Sequence, residues 1–221
     1  MAEYTPQGLS EEQLKQAAEA FVRHGVDIRT RVHDLTLAAL QSRRFDRDAM
    51  RDVYRGVTAG LATGAPDAPD MRQAISDGLK GMDQAIARSA EAGATALKQL
   101  ASTGKSFSDT DLKAALVSLK RLEDDFINTV SGVADKATGP VQPELRGALG
   151  NLTHTGTETG KQLALAMNDL AHRFAVFSID ASLAGLEAAG EFGSRFANLA
   201  SGILSGVADA LQKRPEPPKA P

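Results

Sequence analysis

Residues 70–101 read DMRQAISDGLKGMDQAIARSAEAGATALKQLA, and this stretch decides the fold. Apolar and small residues recur along it every three or four positions, at Ile75, Leu79, Met82, Ile86, Ala90, Gly93, Leu97 and Leu100. This spacing places them on one face of an α-helix. Three of the residues repeat at an interval of 11, which corresponds to about 3.67 residues per turn, so the apolar face runs nearly straight along the helix. The stretch therefore predicts one long amphipathic helix.

Helical patterns also precede this stretch. A capping box at Ser10–Gln13 begins a helix that we predict over 11–41. A second, shorter helix is predicted over 46–62. A linker at 64–69 separates it from the long helix because the segment contains Gly64, Pro66 and Pro69. The apolar or small positions of the first helix are Leu14, Ala18, Phe21, Gly25, Ile28, Val32, Leu35 and Ala39.

Two further helical regions follow. One helix is predicted from Ser108 to a break at 139–143, where Gly139 precedes Pro140. Beyond it, residues 147–212 contain only 9 charged residues, whereas residues 1–146 contain 40. Gly, Ser, Thr, Asn and Ala fill the polar positions of this last region instead. We predict one very long helix here, or two collinear ones.

The composition agrees with an all-helical chain. Aromatic residues make up 5% of the 221 residues and hydrophobic residues 42%, which suits interlocking helices better than a sandwich or barrel. We predict an all-α fold, an elongated antiparallel bundle of about five helices with a long C-terminal helix. The bundle forms a single domain over 10–211, between disordered tails at 1–9 and 212–221. Long helices also make a coiled-coil-like, homo-oligomeric assembly an expectation.

Several classes of function are excluded by what the sequence lacks. The chain has no Cys, so disulfides, thiol catalysis and Cys-type zinc sites are ruled out. A net charge of −3 argues against a dedicated nucleic-acid-binding protein. The start lacks the pattern of a signal peptide, and the longest apolar uncharged window, residues 196–208, is shorter than the ~20 residues that span a bilayer. We therefore expect a cytoplasmic protein, free or bound to a granule or membrane surface.

No motif for catalysis or cofactor binding is complete. Gly104-Lys105-Ser106 resembles the end of a phosphate-binding loop, but Gln99 stands where the motif requires its first Gly, and no strand precedes it. The four His residues lack metal-ligand spacing. We expect no enzyme activity, no catalytic residue, no metal, no cofactor and no small-molecule substrate.

The strongest positive signal is an apolar face in the C-terminal third. A helix with this face can pack against the rest of the chain or a second copy, or it can lie on an apolar interface. Both interpretations stay open on sequence grounds, self-burial being the simpler one. The residues of this apolar face are Phe174, Phe177, Phe192, Phe196, Leu199, Ile203 and Val207.

A second candidate is a basic face formed by Arg44, Arg47, Arg51 and Arg55, which lie three or four positions apart. It could bind phosphate or an acidic partner. The simpler interpretation is pairing within the helix, Asp48 with Arg51 and Asp52 with Arg55. An acidic run at 123–125 could hold a cation, but successive helical side chains point in different directions, so we interpret it as a solvated face.

The chain resembles an uncharacterised family of bacterial all-helical proteins, a domain of unknown function. The resemblance rests on four segments and covers about residues 15–210; the segments are DIRTRV (27–32), VTAG (57–60), FSDTDLK (107–113) and LEDDF (122–126). The family implies no catalytic residues. In composition the chain also resembles phasins, the amphipathic proteins that coat polyhydroxyalkanoate granules, which share long Ala-rich helices and a Pro/Lys/Ala tail.

Three functions are compatible with these patterns. The first is a phasin-like scaffold or surface-coating protein that uses its C-terminal helix to adsorb to an apolar surface or to self-associate. The second is an oligomeric adaptor that binds a protein or nucleic acid through the basic face. The third is a helical pore-forming or membrane-active protein whose 174–211 region inserts into a bilayer.

Overall fold

The computed structural model describes residues 8–42, 47–102 and 109–173, and these ranges contain helices and no strand. This confirms the all-α prediction for that part of the chain. Seven α-helices occur there, already more than the five predicted for the whole chain. They are α1 (Glu11–His24), α2 (Ile28–Gln41), α3 (Arg47–Gly64), α4 (Met71–Ser102), α5 (Asp109–Lys136), α6 (Val141–Thr155) and α7 (Glu158–Arg173), with a 3₁₀ turn at Ala65–Asp67.

The prediction of one helix over 11–41 is wrong, because the chain reverses after His24. Gly25 adopts a left-handed conformation with φ of 68° and donates its N–H to the carbonyl of Val22 at 3.1 Å. Glycine adopts this conformation without steric cost, which makes it a common helix terminator. Asp27 is also left-handed, with φ of 50°, and precedes α2. The turn is so short that the apolar period passes through it unbroken.

Of the two alternatives predicted for the last region, the single very long helix is wrong over the part that the structure describes. Residues 141–173 form two helices, separated at Gly156, whose φ is 81°. Thr157 then caps α7, with its hydroxyl accepting the N–H of Gly160 at 2.8 Å. The break predicted at 139–143 is shorter in the structure, because α6 already begins at Val141. Pro143 lies in the first turn of α6, where its missing N–H removes no helical hydrogen bond. Residues 174–212 of the predicted helix lie outside the described residues.

Helices joined by a turn run in opposite directions, except α6 and α7, which both run antiparallel to α5 and parallel to α4. In α3 and α4, Thr58 contacts Met82, and Gly78 faces Leu61, so one number rises as the other falls. The same holds for α5 against α6 and α7, where Asp135 binds Arg146 and Glu123 binds Thr157. The described chain is therefore organised as helical hairpins.

Helices from successive hairpins run in the same direction. Along α3, Gly56 faces Glu11 and Gly64 faces Glu19 of α1. Along α4, Asp77 binds Arg29, and further on Gln84 and Ala87 lie beside His33 of α2. Along α7, Thr159 binds Asp83 and Asp169 binds Lys98 of α4. This arrangement of hairpins laid side by side does not confirm the predicted antiparallel bundle.

One buried apolar cluster joins all seven helices. The face predicted for the long helix is confirmed in α4 at the positions whose side chains are described, with Ile75, Leu79, Met82, Ile86, Ala90 and Leu97 buried. Between α3 and α5, the rings of Tyr54 and Phe126 meet edge to face with centroids 6.0 Å apart. The apolar positions of the sequence thus mark the core correctly even where the helix boundaries differ.

Candidate functional site

The basic face predicted from the arginine spacing lies along α3. Arg44 is outside the described residues, and Arg47 and Arg51 both reach across to one carboxylate of α5, that of Asp125. The Nε and Nη2 atoms of Arg47 lie 2.8 Å and 2.9 Å from Oδ2 and Oδ1 of Asp125, respectively. The Nη2 atom of Arg51 lies 2.5 Å from Oδ1. Bidentate pairs of this kind are among the stronger charge-assisted hydrogen bonds.

Asp125 is the centre of this cluster and is the buried member. Its side chain is 7% exposed, whereas those of Arg47 and Arg51 are 46% and 33% exposed. Burial by itself raises the pKa of the Asp125 carboxyl. The hydrogen bonds and charges of Arg47 and Arg51 outweigh that effect and hold the pKa below its usual range. Asp125 therefore stays ionised at neutral pH.

Tyr54 lies next to the cluster, fully buried on α3. Burial and then the charge of Asp125 both raise the pKa of its phenol, so Tyr54 is neutral at neutral pH. Its hydroxyl has no hydrogen-bond partner among the described residues. The phenol ring supports the cluster from the core side through its contact with Phe126.

The fourth arginine of the face, Arg55, is also paired. Its Nη1 atom lies 3.2 Å from Glu11 of α1 and 3.1 Å from Asp52. The predicted pairing of Asp52 with Arg55 is confirmed. That of Asp48 with Arg51 is wrong, since Arg51 bonds to Asp125 instead.

The acidic run at 123–125 is not a solvated face either, because Asp125 is buried and Glu123 half-buried. Only Asp124 is exposed. Spacing along one helix shows which residues share a face, but it does not show which neighbouring helix covers that face. Ion pairs of these arginines join α3 to both α1 and α5, and we call this set of contacts the arginine clasp. An anionic ligand would have to compete with three carboxylates to bind the arginines.

A second polar junction, which the sequence gave no signal for, surrounds the start of α7. The carboxylate of Asp83, on α4, accepts the N–H groups of Glu158 at 2.6 Å and Thr159 at 3.0 Å. Glu123 of α5 accepts the hydroxyl of Thr157. Asp83 is 2% exposed. Because the free N–H groups of a helix N-terminus attract negative charge, these two carboxylates fix where α7 begins.

A groove opens beside the arginine clasp along α3, and we call it the α3 groove. Its floor is α3, and its walls are α1 and α5, with Glu12, Ala59, Ala62, Gly132 and Lys136 among its lining residues. Its volume is about 870 Å³ and it is open to solvent. Small side chains line much of it, so the surface is a trough and not an enclosed pocket.

The predicted apolar face, Phe174, Phe177, Phe192, Phe196, Leu199, Ile203 and Val207, lies entirely outside the described residues. Within them, the large apolar side chains that are exposed are Leu9, Val26 and Leu165, which belong to three separate segments of the chain. Among the side chains that the structure describes, these three exposed ones do not form a continuous patch.

The described ranges contain no group of three His, Asp or Glu residues placed to hold a metal ion. Every helix in those same ranges is too short or too polar to cross a bilayer. The chemistry that the described side chains do display is ion pairing and helix capping between elements of the protein itself.

Comparison with known proteins gives one result. No curated protein and no solved structure matches the chain. A family model matches residues 4–213, nearly the whole length. Since that match spans the hairpins, the arginine clasp and the C-terminal third alike, the chain belongs to the family of unknown function DUF6781.

Proposed function

We propose that this protein is a non-enzymatic helical scaffold or surface-coating protein, phasin-like in mode, whose C-terminal apolar face binds an apolar surface or a second copy of the chain. The proposal is supported by the observation that the other candidate surface, the basic face of α3, already forms ion pairs within the protein. The arginines Arg47, Arg51 and Arg55 are engaged by Asp125, Glu11 and Asp52. This leaves the weakly charged C-terminal third as the best candidate for external contact.

The energy of such contact is sufficient for reversible binding. Burying one large apolar side chain contributes roughly 1.5–3 kcal/mol. Four residues at helical spacing, Phe192, Phe196, Leu199 and Ile203, would together contribute roughly 6–12 kcal/mol before the entropy lost on binding is subtracted, a range that includes the roughly 8 kcal/mol of micromolar affinity. The low charge of this region reduces the cost of bringing it to an apolar surface.

Flotation tests this proposal. The wild-type chain should float with phosphatidylcholine vesicles or with polyhydroxyalkanoate particles, and the double variant Phe192→Asp/Phe196→Asp should stay at the bottom. The matched control, Ser194→Asp/Asn198→Asp, adds the same charge on the opposite side of the predicted helix and should float like the wild type. Equal flotation of all three proteins would reject adsorption through this face.

Self-association with a second copy of the chain is the other form of the same proposal. Sedimentation of the three proteins in the absence of any surface distinguishes self-association from adsorption. A dimer in the wild type and in the control, with a monomer in the Phe192→Asp/Phe196→Asp variant, would assign the face to self-association.

An adaptor that binds acidic partners through the basic face is the second candidate, and the ion pairs weaken it. The double variant Arg47→Glu/Arg51→Glu would also break the contact with Asp125, so a loss of binding could reflect a loss of structure. Arg55→Glu is cleaner because its partners Glu11 and Asp52 are exposed. Salt-dependent binding of an acidic polymer that this variant abolishes would favour the adaptor.

A pore-forming role for residues 174–211 is the third candidate. It differs from adsorption in one observable, since insertion across a bilayer releases an entrapped dye whereas adsorption does not. Vesicles that bind the wild-type chain without leaking would reject it.

A further inference from the structure

The α3 groove has the features of a seat for one more helix. It is a trough of about 870 Å³ between α1 and α5, with α3 as its floor. From Arg51 to Thr63 the floor extends about 18 Å at 1.5 Å per residue. Ala59, Ala62 and Ala137 contribute short side chains to the lining. Short side chains allow the backbone of a helix to approach closely.

Helical glycines strengthen this interpretation. Glycine inside a helix is destabilising relative to alanine, so it needs a reason. In α3 the reason is contact, since Gly56 and Gly64 lie against the backbone of α1 with no room for a side chain. Gly132 of α5 breaks this pattern, because no described atom lies within 4 Å of where its Cβ would be. Gly147 and Gly150 of α6 are similarly open, but Gly132 is the one that lines the groove.

The remaining chain has the reach to occupy the groove. Gly160 of α7 lies beside Glu123, close to the Asp125 end of the groove, and α7 then continues about 20 Å away to Arg173. Residues 174–191 would cover about 27 Å as a helix, which is enough to return to that end. Residues 192–203 would then extend about 17 Å, matching the length of the floor.

The chemistry of the segment also suits the groove. Residues 192–207 contain a single charged residue, Arg195, while the charged residues that line the groove are four basic and two acidic. Docking therefore brings at most one charge of the segment to the groove. Large side chains at 192, 196, 199 and 203 complement a lining of small ones, as in ridges-into-grooves packing.

We propose that the α3 groove is the docking site for residues 192–207 of the same chain, so that an apolar surface must compete with the groove for this segment. The inference rests on the proposed function for the choice of segment. Docking shields the apolar face until a surface is present.

Cross-linking tests this directly, because the chain contains no Cys and every introduced thiol is unique. The full-length double variant Thr63→Cys/Ala200→Cys is treated with a short bismaleimide at low protein concentration. The control Asp34→Cys/Ala200→Cys places the first thiol on an exposed residue of α2 that does not line the groove. We expect intramolecular cross-linking at least tenfold faster for Thr63 than for Asp34.

A third variant adds Gly132→Leu to the Thr63→Cys/Ala200→Cys chain. No described atom lies within 4 Å of the new Cβ, and the leucine side chain projects into the groove, so we expect the fold to be retained while cross-linking falls at least tenfold. Adding vesicles to the original pair should also slow cross-linking. Equal rates at Thr63 and Asp34, an unchanged rate with Gly132→Leu, or a product that forms only between two chains would each overturn the proposal.

The outcomes separate this inference from the proposed function. If the cross-linking contrast is missing and flotation still depends on Phe192 and Phe196, docking is rejected and surface binding stands. If cross-linking succeeds and nothing floats, the segment serves the protein's own interior and the surface-coating proposal is rejected.

Discussion

Arg47 of α3 and Asp125 of α5 are 78 positions apart in the chain, yet they form a two-pronged ion pair with distances of 2.8 Å and 2.9 Å. Arg51, one helical turn further along, binds the same carboxylate. Two hairpins are thus joined by a single buried acid. The stability of that junction depends on Asp125 more than on either arginine, since each arginine keeps part of its hydration.

Replacing Asp125 with Asn should lower the free energy of unfolding by about 1–3 kcal/mol, the range for hydrogen bonds to charged groups, reduced here because both arginines are partly exposed. The measurement is urea denaturation followed by circular dichroism. Asp124→Asn is the matched control, since Asp124 is exposed and should change stability by less than about 0.5 kcal/mol. Equal effects of the two substitutions would contradict the clasp.

The same carboxylate predicts a pH dependence. The folded-state pKa of Asp125 lies below its unfolded value of about 3.9, so its contribution is fully present above that pH and is lost as the pH falls through the folded pKa. Asp77, hydrogen-bonded to Arg29 and Gln73, has a lowered pKa despite its burial and acts in the same direction. Urea midpoints at neutral pH and below about pH 4 should show wild type and Asp125→Asn converging. A difference that stays constant down to pH 3 would exclude this linkage.

Replacing a helical glycine with alanine should destabilise the protein where the glycine contacts a neighbouring helix and stabilise it where no described atom is near. Gly60→Ala places a methyl group against the backbone oxygen of Lys15 and should destabilise the protein by about 1–3 kcal/mol, the usual cost of overpacking. Gly150→Ala adds a methyl group where no described atom lies within 4 Å, and should stabilise by about 0.5–1 kcal/mol. Thermal unfolding of the two variants provides the comparison. Stabilisation by Gly60→Ala would mean that α1 and α3 are not in close contact.

Asp83 should control the start of α7. Asp83→Ala removes the acceptor for two backbone N–H groups, one buried and one partly buried, and should cost about 2–4 kcal/mol, with faster hydrogen exchange in residues 158–161. Asp70→Ala is the control, because Asp70 caps α4 by one exposed bond to Gln73 and should cost about 1 kcal/mol. Exchange that rises equally across all helices would show general unfolding and not a local cap.

The apolar pattern predicted a large part of this fold. The face of α4 is buried where its side chains are described, and the capping box at Ser10 and Gln13 forms with both of its hydrogen bonds. These features are local, since helix periodicity and capping depend on residues within about one turn of each other. The turns at Gly25 and Gly156 were missed because an apolar period can continue across a turn of two or three residues.

The candidate site shows what local sequence spacing does not predict, namely the partner on another helix. Local spacing correctly paired Asp52 with Arg55, but it assigned Arg51 to Asp48 and placed Asp125 in solvent. The real partner of Arg51 is 74 positions away. The contact of Asp83 with the start of α7 could not be predicted from the sequence, because a mid-helix aspartate and a distant Thr-Glu-Thr segment share no sequence pattern.

The sequence by itself determined that the described chain is helical, which faces of its helices are apolar and where several helices begin. Only the tertiary structure decided that the hairpins lie side by side with corresponding helices of successive hairpins parallel, and that the arginines of α3 are engaged by buried and neighbouring acids. The physical reason is that periodicity arises from contacts within one helix, whereas the partner of a face is chosen by packing between segments many residues apart.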